Sequence, residues 1–133
     1  MNLTARSEYA LLALIHLARE DPEKFISVET IAVAEDIPSR FLEQIMLALK
    51  NGRYVHSAKG RFGGYRLAKP PEGICLAEII RLFEGALAAT ESVSRYYYES
   101  TPIEKEKKLI VVFQDIRDLI AGRLESTTLA DVC

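Results

Sequence analysis

The chain has 133 residues, the length of one domain or of a small domain with an appendage. It is 49% hydrophobic and 27% charged, which fits a protein with a real core, and no apolar run approaches the roughly 20 residues of a membrane span. The net charge of −2 excludes a nucleic-acid argument from global charge, and two distant cysteines, Cys75 and Cys133, exclude a disulfide framework.

Residues 4–20 are predicted as the first helix, with Thr4 as its N-cap. Leu11, Leu14, Ile15 and Ala18 make one stripe, with Leu12 and Leu17 off it. A helix apolar nearly all round is buried on more than one side. Its apolar centre lacks a small-residue cleavage site and is broken by Glu8 and His16, so a core helix is expected rather than a signal peptide, in a cytoplasmic protein. After the break at Asp21–Lys24, Ser27 caps a short second helix through Ala34, with Ile31 and Ala32 inward. Ala34–Ile37 is a tight connection. Pro38 sits in the first turn of a third helix that runs to Asn51 and stops at Gly52. Phe41, Leu42, Ile45 and Leu49 form its buried face, while Ser39, Arg40, Glu43, Gln44, Leu47 and Lys50 lie opposite.

Tyr54–Ala58 and Gly64–Ala68 read as two strands around a turn at Lys59–Gly63. Leu47, odd on an exposed helix face, is expected to pack under this hairpin. Pro70 and Pro71 end the second strand. A fourth helix comes next at Ile74–Leu87, with Leu76, Ile79, Ile80 and Phe83 as its core face. Residues 88–101 show no clear pattern. Three consecutive tyrosines, Tyr96–Tyr98, cannot all face one core; a helix extension with one of them buried is expected, the alternative being an effector or partner surface. A final helix at roughly 103–125 carries a wide stripe of Leu109, Val112, Phe113, Ile116, Leu119, Ile120 and Leu124. It is too long for the small fold before it, so a two-fold partner is expected to bury that stripe. Thr127–Val132 reads as a tail.

Charge is the strongest functional signal. Residues 50–69 carry Lys50, Arg53, Lys59, Arg61, Arg66 and Lys69 and no Asp or Glu. Residues 1–73 hold ten basic and nine acidic side chains, a net of +1, while residues 74–133 hold seven and ten, a net of −3. A local cluster of cations in a slightly acidic chain suits a polyanion, because it releases counterions from phosphates. Two short helices joined by a tight turn, followed by a basic hairpin, make a winged helix-turn-helix. The second helix of the pair has the width of a major groove, and the hairpin can reach phosphates or an adjacent minor groove. Gly60, Gly63 and Gly64 are expected to permit positive φ and close approach to the duplex. The fold class expected is mainly α with a small two-stranded β wing, a winged helix-turn-helix plus a long C-terminal dimerisation helix. Residues 1–73 form the DNA-binding domain and 74–133 a helical linker and dimerisation region.

The segments NLTARSEYALLALIHLA, IPSRFLEQIMLALKNGRYV, KGRFGGYRLAKPPEGICLAEI and STTLADV, in that order, resemble the Rrf2 family of bacterial transcription regulators. The resemblance runs from residue 2 to about 85, with a weaker echo at 109–132. It implies a homodimeric repressor or activator on a pseudo-palindromic operator of double-stranded DNA. By motif match, Ser39, Arg40, Glu43 and Gln44 lie near base edges, with Lys50, Lys59, Arg61 and Arg66 on the DNA side as well. Their chemistry agrees, since Glu accepts from cytosine, Gln pairs adenine and Arg pairs guanine. Leu109, Val112, Phe113, Ile116, Leu119 and Ile120 fall to dimerisation. Many relatives hold an iron–sulfur cluster through three cysteines just before the long helix. Here the corresponding Leu87–Lys108 segment has no Cys and no His, so no cofactor and no metal site is expected. The signal is then an unknown effector, a partner protein, or none.

Cys75 is placed by its spacing to Glu78 at a helix N-cap, and is read as structural rather than as a redox switch with Cys133. His16 is read as core or interface. His56 lies on the first strand, facing phosphate or solvent. No nucleophile elbow, phosphate loop or carboxylate pair supports an enzyme. The rival outside DNA binding is a winged-helix module that binds a protein, and a second rival binds DNA but adds a cofactor through non-cysteine ligands.

Overall fold

Each predicted helix forms, with its ends adjusted by local chemistry. The computed structural model describes residues 1–133. α1 spans Ala5–Ala18 behind an extended Thr4 cap. Its buried face is Ala10, Ala13, Leu14 and Leu17, not the stripe that the larger side chains suggested. Leu11, Ile15 and Ala18 are half-buried and Leu12 is 40% exposed. The two alanines explain the rotation: their small side chains let the neighbouring helices approach α1 closely, a role that bulk hydrophobicity does not reveal.

α2 (Val28–Glu35) is capped by Ser27, whose Oγ accepts the Thr30 N–H at 3.1 Å. It ends at Asp36, held in the left-handed region at φ 55°, and Ile37 then turns into the core with its N–H on the Ala32 carbonyl. Asp tolerates this conformation better than most residues other than glycine. α3 (Ser39–Asn51) begins one residue later than expected, because Pro38 is its extended N-cap; the Leu42 N–H bonds the Pro38 carbonyl. Its buried face is Leu42, Ile45, Met46 and Leu49. Phe41, expected inside, is 37% exposed and meets Tyr9 edge-on at 5.7 Å between centroids. Met46 takes the inward position.

The hairpin is β1 (Val55–Ala58) and β2 (Gly64–Leu67), antiparallel, with Val55 opposite Leu67 and Ala58 opposite Gly64. A third extended segment is hydrogen-bonded to it. Ile26 and Tyr65 exchange both backbone bonds at 2.8 Å, which ties the hairpin to the loop before α2. This explains Gly64. At its φ of 141°, a Cβ would lie 2.2 Å from the Ile26 carbonyl oxygen. The close approach anticipated for DNA is thus made by the protein's own backbone. Gly64→Ala is expected to break the Ile26–Tyr65 bridge and cost about 2 kcal/mol. Thermal unfolding and amide exchange at Ile26 and Tyr65 check it; unchanged protection contradicts it.

α4 (Leu76–Glu84) is shorter than predicted at both ends. Cys75 caps its start, where the Cys75 N–H donates to Glu78 at 2.9 Å, and Gly85 at φ 79° ends it. Ala77, Ile79 and Ile80 are buried, with Leu76 and Phe83 partly so. Residues 85–106 form turns and bends, with single helical turns at Glu91–Val93 and Pro102–Lys105. No helix extension carries the tyrosines. All three are exposed, and Tyr96 has the Arg81 guanidinium 4.9 Å from its ring centroid. α5 (Lys107–Ser126) starts four residues later than expected and is about 30 Å long. The predicted tail is α6 (Leu129–Val132). It returns to the main core: Leu129 is fully buried, and its N–H bonds the Ile74 carbonyl at 3.0 Å.

The core gathers α1, α2, α3, β1, the start of α4 and Leu129 around Leu14, Ile31, Ile45 and Ile79. Along α5, by contrast, only Ala121 is buried. No helix is long and apolar enough to cross a membrane.

Carboxylates clamp the outer elements. The buried Ser7 hydroxyl donates to Glu84 at 2.6 Å, Thr4 donates to the same carboxylate, and Arg81 of α4 meets Glu125 of α5 at 2.6 Å. The hydrogen bonds from Ser7 and Thr4 hold the Glu84 carboxyl below its ordinary value of 4.5, and the bond from Arg81 lowers Glu125 likewise. A depressed folded-state value means that this stabilisation is present above the unfolded value and is lost as pH falls through the folded one. The melting temperature is therefore expected to hold down to about pH 5 and drop below it. Thermal melts across pH check this, with a shallower acid drop in Glu84→Gln as the expected result.

Candidate nucleic-acid interface

The outward face of α3 is polar, open and uncommitted. Ser39, Arg40, Glu43, Gln44, Leu47 and Lys50 are all exposed, and none of the charged ones joins an ion pair within the chain. Leu47 is 52% exposed and does not pack under the hairpin. The opposite face of the same helix fills the core, so α3 is presented rigidly, with α2 crossing behind it. At about 20 Å, it matches the span of a major-groove reader.

The hairpin is fixed to the end of this helix. Arg53 takes φ 66° in the turn, its N–H bonds the Lys50 carbonyl at 2.9 Å, and the Tyr54 N–H bonds the Leu49 carbonyl at 2.9 Å. Ala68 closes back onto Tyr54. These backbone bonds fix the hairpin to the end of the helix. Between them, Lys50, Arg53, Val55, His56 and Ser57 line an open concavity of about 500 Å³. Its cations and imidazole suit a phosphate backbone. Sequence reasoning had put Arg53 in the basic stretch and offered His56 a phosphate or solvent; the positive-φ turn at Arg53 brings both to one concavity with Lys50.

At the hairpin tip, Lys59 and Arg61 are exposed and unpaired. Phe62 is 84% exposed, with the Arg61 guanidinium 5.5 Å from its ring centroid. An apolar ring at a basic tip is the sort of side chain that wedges against bases in a narrow groove. Nothing in the composition singled it out. Arg66 stands apart from the expected set. Its guanidinium lies 4.6 Å from the Phe25 centroid, 3.8 Å from the Glu23 carboxylate and 3.4 Å from the Glu23 carbonyl. It braces the hairpin, and any phosphate it meets is met from that braced position.

Elsewhere the chemistry is structural. Burial pushes the Cys75 thiol up, the opposite of what an activated thiol needs. Cys133 is exposed, its Sγ near the Ala130 carbonyl. His16 is half-buried, 3.5 Å from Glu20 and 3.8 Å from Glu35. The space framed by Arg81, Arg95–Tyr97 and Arg117 is only about 10 Å³, too small for an effector. The Arg117 donation to the Val93 carbonyl at 2.9 Å and the Arg95–Asp118 pair tie that segment to α5.

Comparison with known proteins gives the same picture. The Rrf2 family profile, described as an iron-dependent transcriptional regulator, matches residues 3–133. The HTH-type transcriptional regulator CymR of Bacillus subtilis is 31% identical over 132 residues, covering 99% of this chain and 89% of CymR. The structure of that global cysteine regulator superposes with a TM-score of 0.80, covering 99% and 95% of the two chains. The HTH-type transcriptional regulator NsrR of Geobacillus kaustophilus is 31% identical, with 99% and 89% covered. T. potens IscR matches with a TM-score of 0.75 at 27% identity, with 99% and 85% covered. The iron in the family description finds no fitting donor set here. No three His, Cys, Asp or Glu side chains are arranged to hold a metal ion, and both thiols lie outside the 87–108 segment.

Proposed function

This chain belongs to the Rrf2 family of DNA-binding transcriptional regulators, and on that premise we propose that it works as a cytoplasmic homodimer on a two-fold operator, without an iron–sulfur cluster. The DNA-binding unit is residues 1–73. In the proposal α3 enters the major groove, where Ser39, Arg40, Glu43 and Gln44 read base edges. Lys50, Lys59 and Arg61 meet phosphates, joined by Arg66 from its braced place, and the hairpin is the wing. The observation that carries this is the pairing of an uncommitted polar helix face with a wing bonded to that helix's end.

The dimer is supported by α5, where Leu109, Val112, Ile116 and Leu119 are 40–75% exposed and Phe113 and Ile120 half-buried. A stripe of this kind needs an apolar partner. A second copy offers the same stripe, and the symmetry axis then sets the spacing of two α3 helices.

Selection of bound fragments from genomic DNA, followed by footprinting, tests the reading. Two protected half-sites related by a dyad are the expected result, and a single asymmetric footprint contradicts it. Glu43→Ala is expected to weaken the preferred site about tenfold and to relax the base preference at one position per half-site. Equal weakening on all sequences would place Glu43 on the backbone instead.

A further inference from the structure

A cavity of about 360 Å³ lies between the end of α1, the Asp21–Lys24 loop and the strand leaving the wing. It is separate from the α3 face and the wing tip. That is room for about a dozen waters, at the small end of ligand sites. Leu17, Ala18, Leu67 and Ala68 supply apolar surface, and Pro22, Pro70 and Pro71 are part of the lining.

The rim carries three cations, Lys24, Arg66 and Lys69, against two carboxylates, Glu20 and Asp21, an excess of one positive charge. Of its acids, Glu20 stands 3.5 Å from His16, and one Asp21 oxygen accepts the Glu23 N–H at 2.9 Å. Of its cations, Arg66 is engaged by Glu23 and Phe25. Lys24 and Lys69 have no carboxylate within 4.0 Å; Lys69 has only the Tyr54 ring, 5.0 Å away. Two lysines without ionic partners on the rim of a cavity with apolar lining fit a ligand with one negative end and a compact hydrocarbon body.

We propose that this cavity binds a small organic carboxylate, with its charge toward Lys24 and Lys69 and its apolar body against Leu17, Ala18 and Leu67. An occupant joins α1 to the strand that leaves the wing. The proposal does not rest on the DNA reading, because the cavity and its charges stand without it.

Backbone amide NMR on the free protein, titrated with benzoate and separately with inorganic phosphate, tests it. Saturable benzoate shifts confined to residues 17–24 and 66–71, in the low millimolar range, are expected. Lys24→Ala and the cavity-filling Ala18→Leu should each weaken them at least tenfold, with the amide spectrum elsewhere unchanged. Absent or non-saturating shifts, shifts centred elsewhere, or benzoate affinity unaltered in Lys24→Ala would overturn the proposal. So would phosphate binding as tightly as benzoate, since the apolar floor would then count for nothing.

Discussion

Replacing Ile116 and Leu119 together by glutamate is expected to leave a monomer of 14.9 kDa in place of a dimer. Leu119 is 75% exposed and Ile116 40%, one turn apart on α5, and Val112 continues the stripe a turn earlier. Across a two-fold axis the same residues meet their copies, so two substitutions place four carboxylates in an apolar interface. Each of them loses water without gaining a partner. The rest of the fold should survive, because the main core draws on α1–α3, α4 and Leu129 and takes nothing from this face of α5. Light scattering or sedimentation reads the mass directly. Affinity for a full operator should fall at least a hundredfold, because the second half-site no longer benefits from being tethered to the first. Affinity for an isolated half-site should hardly change. A variant that stays dimeric would show that another surface joins the subunits.

Lys59→Ala with Arg61→Ala is expected to weaken binding to all DNA sequences by about tenfold to a hundredfold at moderate salt. Both side chains stand at the wing tip, exposed and without ionic partners, so their removal breaks no ion pair and loses only the Arg61 contact with the exposed Phe62 ring. The melting temperature should stay the same. The diagnostic is the salt dependence. Each phosphate neutralised contributes about −0.9 to the slope of log affinity against log salt, so the double variant should lose about two units of slope. Binding isotherms over a salt series measure it. An unchanged slope would move the wing tip off the backbone. On the proposed division of labour, base preference should persist in the variant, which separates placement from reading.

The unsignalled parts of the site share one cause. Lys59 and Arg61 stood out because charge is local information. The grouping of Arg53 and His56 with Lys50 did not, because it depends on a left-handed turn at Arg53 and on the pairing of β1 with β2. Arg66 looked like its basic neighbours until the loop at Glu23–Phe25 was found against it. Phe41 was expected inside and is exposed, while Leu47, correctly placed on the outward face, lacks the expected cover of the hairpin. On a 13-residue helix, the inward face is chosen by which neighbours approach, and here Met46 is buried where Phe41 is not.

By itself, the sequence determined the order of the first five helices and the two strands, the winged helix-turn-helix, the basic wing, the polar outward face of α3 and a stretch from 87 to 108 with no Cys or His. All of these come from periodicity, capping residues, charge and residue identity, which are properties of short stretches of chain. Tertiary structure alone decided that Gly64 serves the Ile26 backbone, that the tail returns as α6 to bury Leu129, that the three tyrosines lie outside any helix, and that Lys24 and Lys69 share one cavity rim. Each of these depends on segments that lie far apart along the chain, and only the folded backbone brings such segments within reach.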